Sequence, residues 1–350
     1  MTAVELSMLS FPVPGLAGAT AQLAEANGWD GLVFADTQNL AADVYGSLCL
    51  AAVVTERLRL GTGVTNPVTR HPAVTAAAIA TVQVASGGRA VLGIGRGDSS
   101  LAHLGRQPEP VEAFERYLTR VQGYLRGEPV DLGDGVRSRN EWIAETGQPK
   151  VPVDVAATGP KVIALGARLA ERVTFAVGAD PERIAGAIAL ARDSREQAGL
   201  DPATLSLGGY LNVVAHPDVA VARQLVRGGL GSFAHFSGMP GAPATGSPDA
   251  AVFERLGAGY DMAHHGMVAS SHQQLLPDDF VDRFGVVGPS EVCARRMAEL
   301  LALGLDRLVV IGGSRDVDPA ALLAANARLA TEVLPVLRGT RGVGDPPGGA

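Results

Sequence analysis

Eight short apolar segments recur along the chain, and their alternation with longer amphipathic stretches constrains the fold more than any other feature. Each segment ends in Gly, Asp, Thr or Asn before an Ala-rich stretch. Segments that are apolar throughout are typical of strands buried on both faces, and therefore of a parallel sheet. The predicted strands are residues 4–9, 31–35, 58–62, 89–94, 151–156, 172–177, 205–214 and 307–312.

The stretches between the strands have the pattern of helices. Residues 16–28 and 181–199, for example, carry apolar side chains three and four positions apart and end in Gly. Eight strands alternating with helices predict a (β/α)8 TIM barrel, an α/β fold whose chemistry lies in the loops after the strand C-termini. A doubly wound parallel sheet is the alternative.

Residues 1–337 are predicted to form one domain, with two departures from the simple repeat. Residues 103–150 contain a helix and then a polar loop placed to cover the barrel mouth. An insertion between strand seven and the last helices, about 215–287, is predicted to be a lid with a mobile middle, SGMPGAPATGSPD. The tail, 338–350, has the composition of a disordered end.

Charge and composition exclude several classes of partner. The net charge is -7, and no Lys- or Arg-rich run is present, which argues against nucleic acid and anionic membrane surfaces. No apolar run approaches the roughly 18 residues of a membrane span, and the N-terminus lacks a signal pattern. We therefore expect a cytoplasmic protein that acts on a small molecule.

Cysteine and histidine spacing gives no metal site. Cys49 and Cys293 lie far apart, and neither has a metal-type neighbour. Three histidines of the insertion, His264, His265 and His272, are interpreted as lid residues that reach substrate or as solvated surface. The chain also lacks a G-x-S-x-G elbow and a P-loop.

Polar residues follow the second and third predicted strands, where a barrel places its reactive groups. Asp36 follows strand two and either contacts a ligand or caps the next turn. Thr62 ends strand three, and Gly63 and Asn66 follow it, where glycine lets the backbone approach a flat ligand closely. His71 precedes a proline that opens a helix, so it is either a functional group or a capping residue.

The fourth strand ends in GIGRGDSS. Its third glycine comes too early for the dinucleotide pattern G-x-G-x-x-G, so a Rossmann site is rejected. Arg96, Asp98, Ser99 and Ser100 remain as a polar cluster at the barrel mouth, and Arg96 and Gly97 are candidates to bind a cofactor. The alternative is a solvated turn in which Asp98 caps the following segment.

The fifth and sixth strands end in helix starts that suit an anion. Thr158 and Gly159 precede a proline, so the amides of the helix N-terminus and the Lys161 ammonium face the mouth, as a phosphate site requires. The amide of Gly178 or Ala179 is a further candidate after strand six. Ordinary helix capping is the alternative at both positions.

Three segments carry a resemblance to a known family: GTGVTNPVTRHPAVTAAAIATV, GRAVLGIGRGDSS and AATGPKVIALGARLA. Together they resemble the bacterial luciferase-like superfamily of flavin-type barrels. The segment GIGRGDSS is most similar to the branch of methylenetetrahydromethanopterin reductase and its actinobacterial relatives, which use the deazaflavin coenzyme F420. The resemblance covers residues 4–335 and is strongest from 28 to 175.

The resemblance implies roles for the strand ends. Thr62, Gly63 and Val64 would form a bulge behind the cofactor ring, with a non-prolyl cis peptide at Gly63–Val64. Asp36 would lie near the edge of the ring. The phosphate-binding turn would include Thr158, Gly159 and Lys161.

For the reaction, the resemblance implies hydride transfer between the deazaflavin and a carbonyl, imine or activated alkene. Asp36, His71 and Asp98 are the candidates for proton transfer or polarisation. Asp98 stands where the glucose-6-phosphate dehydrogenases of this family carry Glu, which argues against a sugar-phosphate substrate.

Two other functions are compatible with the same barrel, namely an FMN-dependent monooxygenase that uses molecular oxygen and a non-catalytic flavin-binding protein. The second and third barrel helices are apolar around much of their circumference, which predicts a homodimer through them.

Overall fold

In the computed structural model, which describes residues 4–237 and 249–339, all eight predicted strands are present. Their boundaries differ from the predicted ones by at most two residues. The strands in chain order are Glu5–Ser10 (β1), Gly31–Phe34 (β2), Arg59–Thr62 (β3), Ala90–Ile94 (β4), Val130–Gly133 (β5), Val136–Ser138 (β6), Val153–Ala157 (β7), Arg172–Phe175 (β8), Ser206–Ala215 (β9), Val286–Gly288 (β10) and Arg307–Ile311 (β11).

The main sheet has the strand order β10-β9-β11-β1-β2-β3-β4-β7-β8, with an additional pairing between β8 and β9. That pairing closes a ring of eight strands, so the (β/α)8 fold is confirmed and the doubly wound alternative is wrong. In the ring, β2 pairs with β3 in parallel from Gly31 opposite Arg59 to Phe34 opposite Thr62. The register therefore brings the ends of β2 and β3 side by side.

The helices follow the strands as the periodicity predicts. They are Ala17–Ala26 (α1), Val44–Ala52 (α2), Pro72–Ala85 (α3), Ser99–Ala102 (α4), Val111–Leu125 (α5), Pro160–Leu169 (α6), Pro181–Gln197 (α7), Val219–Ser237 (α8), Ala250–Gly259 (α9), Asp278–Phe284 (α10), Ser290–Ala302 (α11), Pro319–Arg328 (α12) and Leu334–Gly339 (α13).

Three short strands were not predicted. β5 and β6 form an antiparallel hairpin inside the polar loop of residues 103–150. Asp134 and Gly135 at its turn both have positive φ, which is the backbone that an Asp-Gly turn provides. β10 pairs in parallel with the end of β9.

The chain divides into two compact units. The 7–174 unit contains residues 7–174 and 189–206, and therefore the ends of β2, β3, β4 and β7. Its core is built from aliphatic and aromatic side chains of the strands and of α2 and α3, among them Phe34, Leu48, Leu60, Ile79 and Leu92.

The second unit contains residues 175–188, the described residues from 207 onward and the start of β1. Within it, the segment predicted to be a lid contains α8, α9 and α10, which share a core that includes Leu230, Phe253, Leu256, Phe280 and Phe284. Residues 238–248, which are eleven of the Gly- and Pro-rich middle positions, and the last eleven residues of the chain lie outside the described residues. The one-domain prediction for residues 1–337 stays a prediction.

One continuous helix, Pro319–Gly339, is long and apolar enough to pass a membrane-span test by length and composition. This differs from the expectation that no such segment exists. Leu329, Val333, Leu334 and Leu337 are buried against the unit, whereas the helix also carries Glu332 and arginines. One face of this helix is therefore buried in the unit, and the other, which includes Leu323 and Val336, is exposed.

Candidate functional site

The turn after β3 combines an unusual peptide bond with close packing against β2. The Gly63–Val64 peptide bond is cis, which confirms the bond that the family resemblance implied. The Gly63 amide donates to the Phe34 carbonyl over 2.7 Å. A Cβ at Gly63 would lie 2.8 Å from Val33 Cγ2, so only glycine fits against β2.

The same turn is held from β4 through Gly93. Thr62 Oγ1 donates to the Gly93 carbonyl over 2.6 Å, and the Thr65 amide donates to the same carbonyl over 3.0 Å. A Cβ at Gly93 would lie 2.0 Å from the Thr62 carbonyl oxygen. Glycine at 93 therefore lets the two strands approach closely enough for these bonds.

Asn66 is buried, and its side chain shapes the loop after the turn. Its Oδ1 accepts from the amides of Val68 and Thr69 over 3.0 and 3.1 Å, and its Nδ2 lies 3.4 Å from Ser100 Oγ. This is an Asx-type turn. The contact of Asn66 with a cofactor stays a prediction. Its side-chain oxygen already accepts the two hydrogen bonds of this turn.

Asp36 follows β2 and is 3% exposed. Its Oδ1 accepts from Gln38 Nε2 over 2.8 Å and from Arg70 Nη2 over 3.2 Å. Its Oδ2 accepts from Thr65 Oγ1 over 2.7 Å and pairs with Arg70 Nη1. The carboxylate is thus the centre of a hydrogen-bonded ion pair with Arg70.

Sequence analysis did not identify Arg70. The residue lies in the loop between β3 and α3, where no periodic pattern separates a buried arginine from a solvated one. A buried carboxylate requires a partner, so the prediction of Asp36 at the mouth was the only available signal for a nearby cation.

His71 occupies the N-cap of α3, as the capping alternative proposed. Its Nδ1 accepts from the Ala73 amide over 3.2 Å, and Pro72 takes the first helical position. The side chain is exposed. Capping accounts for His71 here, and a role in proton transfer stays a prediction.

Asp98, Arg96 and Gly97 lie together after β4. Asp98 precedes the short helix α4 but makes no side-chain capping hydrogen bond, so the capping alternative is wrong. Burial raises the pKa of Asp98 from 3.8 to about 6, against the opposing effect of the Arg96 charge. A carboxyl group with this pKa exchanges protons near neutral pH.

The neighbours of Asp98 define the shape of the segment. Arg96 Nη1 donates to the Glu109 carbonyl over 2.9 Å, which anchors the residues before α5. Gly97 has φ +86°, and a Cβ there would lie 2.4 Å from Leu101 Cδ1. Glycine is therefore required at position 97 by both conformation and space.

The start of α6 has the features that an anion site needs. Gly159 stands at the N-cap and provides no side-chain cap, and Pro160 takes the first position. Thr158 and Gly159 are partly exposed, and Lys161 is exposed. The positive end of the helix dipole and the Lys161 ammonium group thus lie at the start of α6, where a phosphate is favoured, while the Val162 amide already donates to the Gly159 carbonyl over 3.1 Å.

In the second unit, the turn after β8 gives Gly178 a packing role. Its φ is +81°, and a Cβ would lie 2.4 Å from Phe284 Cδ2. The Ala179 amide donates to the Phe284 carbonyl over 2.8 Å. The suggestion that Ala179 offers a free amide is therefore wrong, while cofactor binding by Gly178 stays a prediction.

The insertion histidines cluster around Tyr260. The Tyr260 ring stacks between His235 and His272, with centroids 4.1 and 4.2 Å away, and its hydroxyl lies 2.7 Å from His265 Nδ1. His264 is exposed and pairs with Asp261. Within residues 4–237 and 249–339, no group of three or more potential ligands is placed to hold a metal ion.

Comparisons with known proteins place this site in context. The profile of a family described as luciferase-like monooxygenase matches residues 9–307. The 5,10-methylenetetrahydromethanopterin reductase of Methanolobus tindarius is 29% identical over 302 residues, which cover 83% of this chain and 87% of that reductase. The F420-dependent glucose-6-phosphate dehydrogenase of Microbacterium testaceum is 36% identical over 135 residues, or 37% of this chain and 40% of that enzyme.

Among solved structures, the coenzyme F420-dependent tetrahydromethanopterin reductase of Methanopyrus kandleri has a TM-score of 0.73 at 24% identity. The match covers 95% of this chain and 99% of the reductase. At this identity the likeness shows the shared fold.

Proposed function

Because the chain belongs to the luciferase-like monooxygenase family, we propose that this oxidoreductase depends on coenzyme F420 and reduces a carbonyl, imine or activated alkene of a small molecule. The observation that carries the proposal is the juxtaposition of two features on neighbouring strands. The glycine-built turn Thr62–Val64 ends β3, and the Asp98 carboxyl with its raised pKa follows β4.

The residues present fit the cofactor. The turn at Gly63 and Val64 has no polar side chain, so it suits the face of a flat ring. Thr158, Gly159 and Lys161 at the start of α6 would hold its phosphate, since that helix end carries no side-chain cap. When bound, the deazaflavin supplies a hydride carrier, and the protein provides orientation and a proton.

Asp98 is the proposed proton donor. When the substrate carbon accepts a hydride, the electron pair of its double bond moves to the heteroatom, which then takes the proton of the Asp98 carboxyl group. The reverse reaction returns that proton to the carboxylate. The raised pKa keeps a useful fraction of Asp98 protonated near pH 6.

Cofactor titration tests the proposal. Purified protein is mixed with coenzyme F420 or with FMN, and binding is followed by fluorescence quenching. We expect saturable quenching of F420, weakened by Lys161→Ala but not by Lys150→Ala, which removes the amine that pairs with Glu171. Tight binding of FMN without binding of F420 would instead favour the FMN-dependent monooxygenase.

We also propose that the protein forms a homodimer through α2 and α3. Leu50 on α2, Val53 at its end and Val74 on α3 are 56%, 70% and 54% exposed. Apolar side chains grouped on neighbouring helices favour burial against a second copy.

A further inference from the structure

We propose that Arg70 is a positioning residue, which ties the turn after β3 to Asp36 and so fixes the backbone surface at Gly63 and Val64. This inference rests on the proposed function, because that surface is where the cofactor ring is expected to lie. Asp36 has the same positioning role in this proposal, in place of the proton-transfer role considered from the sequence.

The acceptor positions of Asp36 are the first argument. An ionised carboxylate has about four lone-pair sites. Gln38, Thr65 and the two terminal nitrogens of Arg70 make four contacts to its two oxygens. Asp36 therefore has no acceptor position left for a ligand without breaking one of these bonds.

The pairing geometry is the second argument. Arg70 Nη1 approaches Asp36 Oδ2 and Nη2 approaches Oδ1, so the guanidinium spans both oxygens. The two side chains are 15% and 2% exposed. A buried two-point pair of this kind occupies both oxygens of the Asp36 carboxylate and fixes its direction, which makes Asp36 an anchor for the turn.

Arg70 is itself held on several sides. Its guanidinium carbon lies 4.9 Å from the centre of the Tyr45 ring, and Nη2 lies 3.5 Å from Asp43 Oδ2. The Tyr117 hydroxyl donates to the Arg70 carbonyl over 2.9 Å. A lysine could keep the charge but not the planar fork or the stacking.

Thr65 connects this anchor to the turn. It directly follows Val64, its hydroxyl donates to Asp36, and its amide donates to the Gly93 carbonyl. Its carbonyl accepts from the Gly95 amide over 3.0 Å. Arg70 holds Asp36, and Asp36 holds Thr65. Through these two residues Arg70 fixes the position of the peptide units at Gly63 and Val64, which directly precede Thr65.

The test compares Arg70→Met, Arg70→Lys, Asp36→Asn and the double variant Arg70→Met/Asp36→Asn with the wild type. The matched control is Arg89→Met, which removes a partly buried arginine that donates to backbone carbonyls at the other end of β4. Two quantities are measured: amide hydrogen exchange at residues 63–69 in the ligand-free protein, and the Kd for coenzyme F420 from fluorescence quenching.

We expect faster exchange at Thr65, Val68 and Thr69 in Arg70→Met, and a Kd raised by about tenfold or more. The double variant should bind coenzyme F420 no more weakly than Asp36→Asn, because both substitutions break the same Arg70–Asp36 pair. Arg70→Lys should recover part of the affinity. Arg89→Met should lower the Tm without moving either quantity at the turn.

Unchanged exchange and a Kd within twofold of wild type in Arg70→Met would overturn the inference, as would effects of the two single changes that multiply in the double variant. If wild-type protein does not bind F420, the proposed function fails. In that case the hydrogen-exchange data alone test the positioning role of Arg70. Faster exchange at the turn in Arg70→Met, but not in Arg89→Met, would support that role.

Discussion

Among single residues, Asp98 is the group whose chemistry should depend most on pH. With a pKa of about 6, it is the acid form below that pH and the base form above it. We expect kcat for substrate reduction to fall as pH rises above about 6, and kcat for the reverse oxidation to fall as pH drops below it. Asp98→Asn should lower kcat by about 100-fold or more.

Stability gives an independent measure of the same carboxyl group. Its pKa is higher in the folded chain than the ordinary 3.8, so ionisation costs folding free energy that is fully present above about pH 6 and absent below pH 3.8. Asp98→Asn should therefore stabilise the protein at pH 8 by on the order of 2 kcal/mol and have little effect near pH 4. Urea unfolding at both values checks this, with the exposed Asp193→Asn as control. Equal effects at the two pH values would contradict the assignment.

The two acidic residues show what sequence reasoning reaches at this scale. Their positions after β2 and β4 followed from strand ends alone, but their states did not. Asp36 pairs with an arginine that is 34 residues away in the chain, whereas Asp98 is partly buried and has a raised pKa. Such differences depend on which side chains the loops bring together, and the spacing of residues along the sequence does not predict those contacts.

At the level of elements, the stack of His235, Tyr260 and His272 predicts that the stability of the insertion depends on pH. Burial lowers the pKa of both histidines. The charge of His272 further lowers the pKa of His235, and that of His264 further lowers the pKa of His272, which Asp261 opposes. The folded chain therefore keeps them neutral while the unfolded chain takes up protons below pH 6.5. Stability should fall as the pH decreases from 7.5 to 5.5.

Chemical unfolding of His235→Phe and His272→Phe measures this contribution. Each variant keeps an aromatic ring beside Tyr260 but cannot be protonated, so each should lose less stability over that pH interval than the wild type. His216→Asn, which changes a histidine outside the stack, is the control. The interpretation is wrong if the pH slopes of both Phe variants equal that of the wild type.

The elements differ in how well the sequence specified them. Strands β2 and β4 are short apolar runs between polar residues, and burial on both faces produces that pattern. The hairpin β5–β6 is mostly exposed, so its alternation is weak and was taken as a loop. In the insertion, α8, α9 and α10 pack mainly on one another, and the barrel period gives no information about them.

For the whole molecule, the testable property is the oligomeric state. Leu50→Glu together with Val53→Glu should convert the proposed homodimer to monomer, because it places two charges in a buried apolar contact. Light scattering coupled to size-exclusion chromatography measures the mass. Val336→Glu, a change at an apolar residue that is 47% exposed in the second unit, should leave the mass unchanged. A wild-type monomer at micromolar concentration would contradict the prediction.

The missing side chain at position 93 has a consequence for how sequences of this kind vary. Any Cβ there would overlap the Thr62 carbonyl, so a substitution must move β3 and with it the cis turn. In a distant relative, glycine at positions equivalent to 63 and 93 should therefore mark a chain that retains this turn, even where the loops that select a substrate have lost all similarity.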